Sequence, residues 1–377
     1  MRKGIAVLLV VIMVVCLGIW AINGLSGGSV PTAGEDFSDR APWRQNINGY
    51  RANQVCFKLE PGYHFDSVDW LGREELLIVA VKDWGSSSGA GEYRKIYAYN
   101  ILDDRRTLLF EGEFSGNPGG SRVVLPQSGQ AGLQALDRFL LFNLQKGCVL
   151  KTSYFPSGAL EAEVSSDGRR LVYLTPEGLF QADVEAHEPQ LLADVHKALD
   201  VVNPLPVRPH WSDDGQSIAY VTRVGDEARI NIITTGDGKL EQHAIPGGDE
   251  FDLCWLSDNQ RLLVVSGDRE SHQADLTVIP ARGGGQETTR ENGTLTIQDV
   301  FGDMVLYTRT APATDRVDAV MYNSATGQGL AITPEFSDLH SARFSPTGRF
   351  IAFLARNSGE PVLYITYEEI NQEGVRQ

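Results

Sequence analysis

The sequence contains little positive charge, few cysteines and little methionine. Its 377 residues include 33 Lys and Arg against 49 Asp and Glu, which gives a formal net charge of −16. An acidic surface repels phosphate backbones, so this balance disfavours nucleic-acid binding. The 39 glycines against 4 methionines predict many turns and few long helices.

Compact metal and redox motifs are also missing. None of the four cysteines stands in a C-x-x-C motif, which excludes a zinc knuckle and a thioredoxin-like site. None of the seven histidines has H-E-x-x-H or H-x-H spacing. Three cysteines stand outside the N-terminal apolar run, namely Cys56, Cys148 and Cys254, and three cannot all pair within one chain. One disulfide among them is an open alternative, but the sequence does not predict which two residues would form it. We expect no cofactor; calcium at Asp213-Asp214-Gly215 or at residues 249–252 is the alternative, although neither segment matches an EF-hand loop.

One long apolar run stands at the N-terminus. Arg2 and Lys3 precede 18 residues without a charge, from Ile5 to Ile22. Residues 1–23 therefore predict a membrane anchor, with a cleaved signal peptide as the alternative. Either reading places the remaining chain outside the cytoplasm, because basic residues at the extreme N-terminus stay inside. Residues 24–48, rich in Gly, Ser, Pro and charge, predict a flexible linker.

The remainder of the chain is built from an internal repeat. Each copy has an apolar or aromatic anchor, a polar turn and a β-branched or aromatic run, as in Trp211 to Tyr220. The anchors are Trp70, Val164, Trp211, Trp255, Val300 and Phe344. They are 44 to 47 residues apart, except for one double interval that implies a further copy, which Arg122 to Leu125 and Arg138 to Asn143 would supply. This period is typical of a β-propeller with four-stranded blades.

The count gives seven blades, or six if residues 120–157 form an insertion. Residues 49–377 therefore predict an all-β fold consisting of a single propeller. The spare strand from Gln54 to Leu59 has no partner within the first copy, so we expect it to pair into the last blade and close the ring.

The turn signature resembles that of the TolB-like, WD40-like (PD40) β-propeller family. His210-Trp211-Ser212-Asp213-Asp214-Gly215 and Phe344-Ser345-Pro346-Thr347-Gly348 lie closest to its W/F-S-P-D-G pattern. The resemblance covers roughly residues 54 to 369. It implies a propeller that binds proteins or peptidoglycan-associated partners, because the propellers of this family mostly do so.

A polar ring is predicted at the mouth of the central channel. The residue before each anchor lies near one end of the innermost strand, and five of these six residues are charged or histidine. In chain order they are Asp69, Glu163, His210, Cys254, Asp299 and Arg343. Such a ring could bind a cation or the basic group of a partner; alternatively, its polar residues are merely tolerated beside channel water.

Two functions follow as hypotheses. The first is a non-catalytic, membrane-tethered module outside the cytoplasm that binds a protein or another cell-envelope partner. The second is a lactonase-like or lyase-like enzyme with a metal at the channel mouth. The sequence contains no catalytic constellation that would select the second.

Overall fold

The computed structural model describes most of the chain beyond the N-terminal segment. The described residues are 44–47, 50–55, 57–82, 92–114, 122–125, 129–184, 188–194, 208–224, 227–245, 248, 250–268, 270–312, 316–332, 337–356 and 361–368. They belong to one compact unit, Arg40–Glu369. Within these ranges no helix is long and apolar enough to cross a membrane. The predicted anchor, residues 1–23, lies outside the described residues, as does most of the predicted linker.

The described residues form 29 strands in seven sheets. The first strands are Arg44–Ile47 (β1), Tyr50–Gln54 (β2), Tyr63–Trp70 (β3), Glu75–Lys82 (β4), Tyr93–Asn100 (β5), Arg106–Glu113 (β6), Arg122–Val124 (β7), Gln130–Gln134 (β8), Arg138–Asn143 (β9) and Cys148–Tyr154 (β10). The next are Glu161–Val164 (β11), Arg170–Thr175 (β12), Gly178–Asp183 (β13), Gln190–Ala193 (β14), His210–Trp211 (β15), Ser217–Val224 (β16), Glu227–Thr234 (β17), Leu240–Ile245 (β18), Glu250–Trp255 (β19), Arg261–Asp268 (β20), Gln273–Pro280 (β21) and Glu287–Asn292 (β22). The last are Thr294–Phe301 (β23), Met304–Thr310 (β24), Val317–Asn323 (β25), Gln328–Ala331 (β26), Ser337–Phe344 (β27), Phe350–Arg356 (β28) and Pro361–Glu368 (β29).

The sheets are the blades of a seven-bladed propeller. Six blades are four-stranded antiparallel sheets, which take β3–β6, β7–β10, β11–β14, β15–β18, β19–β22 and β23–β26 in chain order. At six of the seven junctions between blades, the first strands of the two neighbouring blades contact one another. The predicted anchors occupy equivalent places, at the last or next-to-last position of these first strands. The predicted seven-bladed, all-β architecture is therefore confirmed, and the six-bladed alternative is wrong.

The ring is closed at the seventh blade. β2 pairs with β29, so this blade combines strands from both ends of the propeller in the order β1-β2-β29-β28-β27. The predicted closure is confirmed, but the closing strand ends at Gln54, and only the amide of Val55 continues the pairing, to the carbonyl oxygen of Leu363. Arg44–Ile47 adds a fifth strand although these residues were assigned to the linker; they lack the apolar pattern of a covered strand because β1 is an edge strand.

The second blade also differs from expectation. Its first strand is Arg122–Val124 as predicted, but Gln130–Gln134 forms the second strand and Arg138–Asn143 the third. The short strand Gln-Ala-Gly-Leu-Gln was overlooked because it carries Gly132, which weakens a strand pattern. Gly132 is required there, since an added Cβ would lie 2.1 Å from the ring of Phe139.

The core lies between blades. The middle strands are almost continuously apolar, and Leu76 to Val81 of β4 are all buried. A separate cluster of buried side chains fills each of the six interfaces between successive blades. The interface between the last blade and the first is closed by Trp70, whose ring stacks on Phe350. Because each blade covers the apolar face of the next, neither face of a middle strand meets water.

The polar turn after each anchor has a repeated geometry. The amide of Gly215 donates to the carbonyl oxygen of Ser212, and Gly215 has a φ of +65°. At the matching position of the fifth blade, Asn259 has a φ of +56°, a conformation that asparagine tolerates. Asp214 accepts hydrogen bonds from the hydroxyl of Ser212 and the amide of Gln216. This acidic side chain therefore stabilises its own turn.

Candidate functional site

The innermost strands surround a central cavity of about 460 Å³. All six residues of the predicted ring line this cavity: Asp69, Glu163, His210, Cys254, Asp299 and Arg343. They meet there because each stands at the same position of its own innermost strand, one residue before the anchor. The structure thus brings together a ring that the sequence spreads over more than 270 residues.

Arg122 supplies the seventh position of the ring. The amide of Val123 donates to Oδ2 of Asp69 at 3.1 Å, as the amide of Trp211 donates to Oε2 of Glu163 at 3.1 Å. Val123 is therefore the anchor of the second blade, and Arg122 is the residue before it. Arg122 is a site residue that the sequence does not reveal, because neither an aromatic anchor nor an Asp-Gly turn marks this copy.

A second tier of charged side chains lines the same cavity. It consists of Glu161, Arg208 and Asp252, each two residues before a ring residue. Side chains two positions apart on a strand point to the same face, so this tier could have been derived from the ring itself. Asp213, which follows the anchor Trp211, completes the charged lining.

The ring carboxylates connect neighbouring blades. Besides the bonds of Asp69 and Glu163, Oδ2 of Asp299 accepts the amide of Phe344 in the next blade at 2.6 Å. In the second tier, Oδ2 of Asp252 accepts the amide of Ile297, also in the next blade, at 2.8 Å. These carboxylates therefore satisfy backbone amides that would otherwise face the cavity without an acceptor.

The anchor tryptophans reinforce these connections. Their indole Nε1 atoms donate to the carbonyl oxygen of the ring residue in the preceding blade. The bonds run from Trp70 to Arg343 at 3.1 Å, from Trp211 to Glu163 at 3.1 Å and from Trp255 to His210 at 3.0 Å. The aromatic anchors thus have a structural role that explains their recurrence along the chain.

The charges of the lining do not cancel. Each of its three arginines faces one carboxylate: Arg122 contacts Glu163, Nε of Arg208 lies 3.6 Å from Glu161, and Nε of Arg343 lies 3.7 Å from Asp69. Three further carboxyl groups face the cavity, those of Asp213, Asp252 and Asp299. They come from the fourth, fifth and sixth blades, so the surplus of negative charge lies on one side of the channel.

Burial perturbs the acids on that side. Desolvation raises the pKa of Asp299 to about 7, although the charge of Arg343 opposes the shift. Desolvation also raises the pKa of Asp252 to about 6, against the hydrogen bonds from Ile297 and Leu253. The pKa of the Cys254 thiol is raised well above its usual range by burial and by three carboxyl groups around it, those of Asp252, Asp299 and Asp213. Cys254 is therefore a neutral thiol and a poor nucleophile at pH 7.

His210 stands in the same blade as Asp213, where the negative side meets the mixed-charge part of the lining. Its Nδ1 atom lies 3.4 Å from Oε2 of the fully buried Glu163. Burial lowers the pKa of His210 well below its usual range, and the positive charges of Arg208 and Arg122 lower it further. The imidazole is therefore neutral at pH 7. We assign the proton to Nδ1, because it faces a carboxylate that only accepts hydrogen bonds, so that Nε2 keeps the lone pair.

The metal and disulfide hypotheses can be compared with the described residues. No group of three or more His, Cys, Asp or Glu side chains among them is arranged to hold a metal ion. Of the calcium candidates, Asp214 stabilises its own turn, Asp252 bonds two amides, and Asp249 lies outside the described residues. Cys148 and Cys254 are free thiols, and Cys56 also lies outside the described residues.

Comparison with known proteins places the fold but not the activity. No protein-family model and no curated protein sequence matches the chain. Among solved structures, an oligogalacturonate lyase in complex with manganese is 13% identical with a TM-score of 0.60, over 86% of this chain and 96% of that one. The hydrazine synthase of Kuenenia stuttgartiensis is 14% identical with a TM-score of 0.51, over 82% of this chain and 96% of that one.

TolB from Acinetobacter baumannii is a further structural match. It is 11% identical with a TM-score of 0.43, over 75% of this chain and 78% of that one. At such identities the matches concern the fold alone, and they include proteins of different functions. The seven-bladed ring is the propeller fold that the repeat predicts.

Proposed function

We propose that this chain is a non-catalytic binding module, tethered to a membrane by its N-terminal segment, with the propeller outside the cytoplasm. Its partner is a protein or another component of the cell envelope, and its ligand site is the central cavity. The observation that carries the proposal is the unbalanced charge of that cavity, where three arginines face six carboxyl groups.

The charge imbalance favours a positively charged group as the ligand. After the three arginine–carboxylate contacts, the groups of Asp213, Asp252 and Asp299 form no salt bridge with any residue of the described ranges. A buried carboxylate lacking a cation is costly, and the raised pKa of Asp299 reflects that cost. An ammonium or guanidinium group that entered the cavity would lower this cost of burying a carboxylate. The tether and the location rest on the apolar run from Ile5 to Ile22 and its two preceding basic residues.

The proposed role also fits the way in which the lining is used. Asp69, Glu163 and Asp299 are held by amides of neighbouring blades, so their positions are fixed before any ligand arrives. A preorganised site binds without the entropic cost of ordering its side chains. The metal-dependent enzyme of the second hypothesis needs several ligands around one point, and the described residues offer no such group.

Crosslinking and pull-down from native membranes would test the proposal. The full chain is compared with D252N/D299N, which removes two cavity charges but keeps one oxygen acceptor at each site. The matched control is E177Q/E287Q, which removes two exposed charges outside the cavity. We expect a reproducible envelope partner with the wild type and the control, and its loss with D252N/D299N. Equal capture by all three, or no reproducible partner, would contradict the proposal. Metal analysis of the same preparation tests the enzyme hypothesis.

A further inference from the structure

Three groups of the cavity lining retain unused capacity for hydrogen bonds. Nε2 of His210 forms no hydrogen bond with a described residue, while Nδ1 faces Glu163. The carboxylate of Asp213 forms no hydrogen bond or ion pair within the described part of the chain. Arg122 has five N–H donors, and its one ion pair with a described residue is the contact with Glu163.

These three groups lie in one part of the cavity. His210 and Asp213 flank the anchor Trp211 on one segment, and Arg122 and His210 share the buried carboxylate of Glu163. The negative charge of Asp213 acts on the guanidinium of Arg122 and partly offsets the lowering of its pKa by burial. Yet no salt bridge joins Arg122 to Asp213. The cavity therefore presents a cation, an anion and a neutral acceptor, with space between the charges.

We infer that Arg122, His210 and Asp213 form a recognition site for a zwitterion in which one carbon bears both an ammonium group and a carboxylate, as in an α-amino acid. The inference rests on the proposed function, because it assigns a chemical class to the ligand of the cavity. Asp213 and Nε2 of His210 accept hydrogen bonds from the ammonium group. Arg122 donates to the carboxylate with its remaining N–H groups, for which its planar fork is well suited.

Neither charge alone complements this part of the cavity. A simple ammonium ion would satisfy Asp213 but would leave the spare donors of Arg122 without an acceptor. A simple carboxylate would meet Arg122 but would face the negative charge of Asp213. His210 contributes because it is neutral: a protonated imidazole would repel the ammonium group and would offer no lone pair.

Titration with three small probes tests the inference on the purified full chain in detergent. L-alanine has both groups, ethylamine lacks the carboxylate, and propionate lacks the ammonium group. Ligand-observed NMR suits weak binding and reports each dissociation constant. We expect L-alanine to bind at least about tenfold more tightly than either probe, since each lost charge-assisted contact costs more than about 1.4 kcal/mol. Equal affinity for L-alanine and ethylamine, or no binding of L-alanine, would overturn the inference.

Variants then assign the roles of the residues. D213N changes an exposed side chain and leaves the buried contacts of the cavity intact. It should weaken L-alanine and ethylamine at least about tenfold and should not weaken propionate. R122Q should show the opposite selectivity, weakening L-alanine and propionate. E177Q is the matched control, and it should bind all three probes as the wild type does. If R122Q fails to fold, D213N alone decides, and an unchanged affinity for L-alanine would refute the assignment.

The outcome is separable from that of the proposed function. If L-alanine does not bind while D252N/D299N loses the envelope partner, the zwitterion site is wrong and the binding module stands. If L-alanine binds with the expected selectivity but no envelope partner is recovered, the site stands and the envelope partner is wrong.

Discussion

The segment that leads from the closing strand into the first blade offers the sharpest test of how the ring is held shut. Phe57 lies between β2 and β3 and is only 7% exposed. Its ring contacts three aromatic rings of the first blade: centroid distances are 5.0 Å to Tyr99, 5.4 Å to Tyr97 and 6.1 Å to Phe65. Nearby, Nζ of Lys95 bonds Oε2 of Glu60 at 2.6 Å. The closing strand is thus joined to the seventh blade by its backbone, and the segment that follows it is joined to the first blade by the aromatic side chain of Phe57.

Phe57→Ala should therefore destabilise the closed ring strongly. A buried phenylalanine removes about 150–250 Å² from water, and at about 25 cal/mol per Å² this corresponds to roughly 4–6 kcal/mol as an upper bound. Observed costs of Phe→Ala in protein cores are about 3–5 kcal/mol. We expect a loss of about 4 kcal/mol in the free energy of unfolding, part of which comes from the edge-to-face contacts with Tyr97 and Tyr99.

Urea denaturation followed by tryptophan fluorescence measures this loss. Amide hydrogen exchange of Pro361–Glu368 reports whether the closing strand opens before the rest of the propeller. Leu240→Ala is the control, because Leu240 is 46% exposed on an outer strand and should cost less than about 0.5 kcal/mol. A loss below about 1 kcal/mol for Phe57→Ala, or unchanged exchange in Pro361–Glu368, would refute the reasoning.

Three further predictions concern the cavity and the contacts between blades. The pKa of Asp299 rises from 3.8 to about 7 on folding, so the folded state binds the extra proton and its stability falls as pH rises from about 4 to 7. Asp299→Asn should remove about 2 kcal/mol of the difference in unfolding free energy between pH 5 and pH 8. Urea denaturation at both pH values measures this, and a difference equal to that of the wild type would contradict it. Trp211→Phe removes the indole hydrogen bond to the carbonyl oxygen of Glu163 and should cost about 1 kcal/mol in urea unfolding, whereas no cost would show that the bond is replaced by water. Arg170→Met loses the stacking of the guanidinium, 4.6 Å from the Trp211 ring centroid, and should lower the thermal midpoint, whereas Arg169→Met on the same turn should not. Equal midpoints for these two variants would exclude a stabilising role for the stacking.

The architecture could be predicted because the copies of the repeat share similar residues at the end of the innermost strand and in the turn that follows it. Trp211 and Trp255 mark the ends of innermost strands, and Asp214 with Gly215 marks the turn that follows. Aligning the copies on these residues therefore gives the period of the repeat, the number of blades and the strand position that faces the channel. The six ring residues follow from that register alone.

Other parts of the site depend on relations that one sequence does not display. Arg122 was overlooked because its blade has a short first strand of three residues and no aromatic anchor. The pairing of Arg208 with Glu161 joins residues 47 positions apart, and no local pattern predicts which arginine faces which carboxylate. Asp252 was considered as a calcium ligand; in the structure it bonds the amide of Ile297 in the next blade. The composition of the ring could be predicted, but its charge balance required the fold.

The two kinds of contact between blades differ in the length of chain that they enclose. Along the ring, the bonds of Trp211, Trp255 and Phe344 to the preceding blade join residues 45 to 48 positions apart. At the junction of the last blade with the first, Trp70 and Arg343 are 273 positions apart. Closing the longer loop costs about 1.6 kcal/mol more in chain entropy, because this cost grows with the logarithm of loop length. Blades can therefore assemble one after another from nearby chain, whereas the final junction forms only once the whole circle has been built. We therefore expect that seam to be the last part of the circle to form during folding and the first to open in thermal fluctuations.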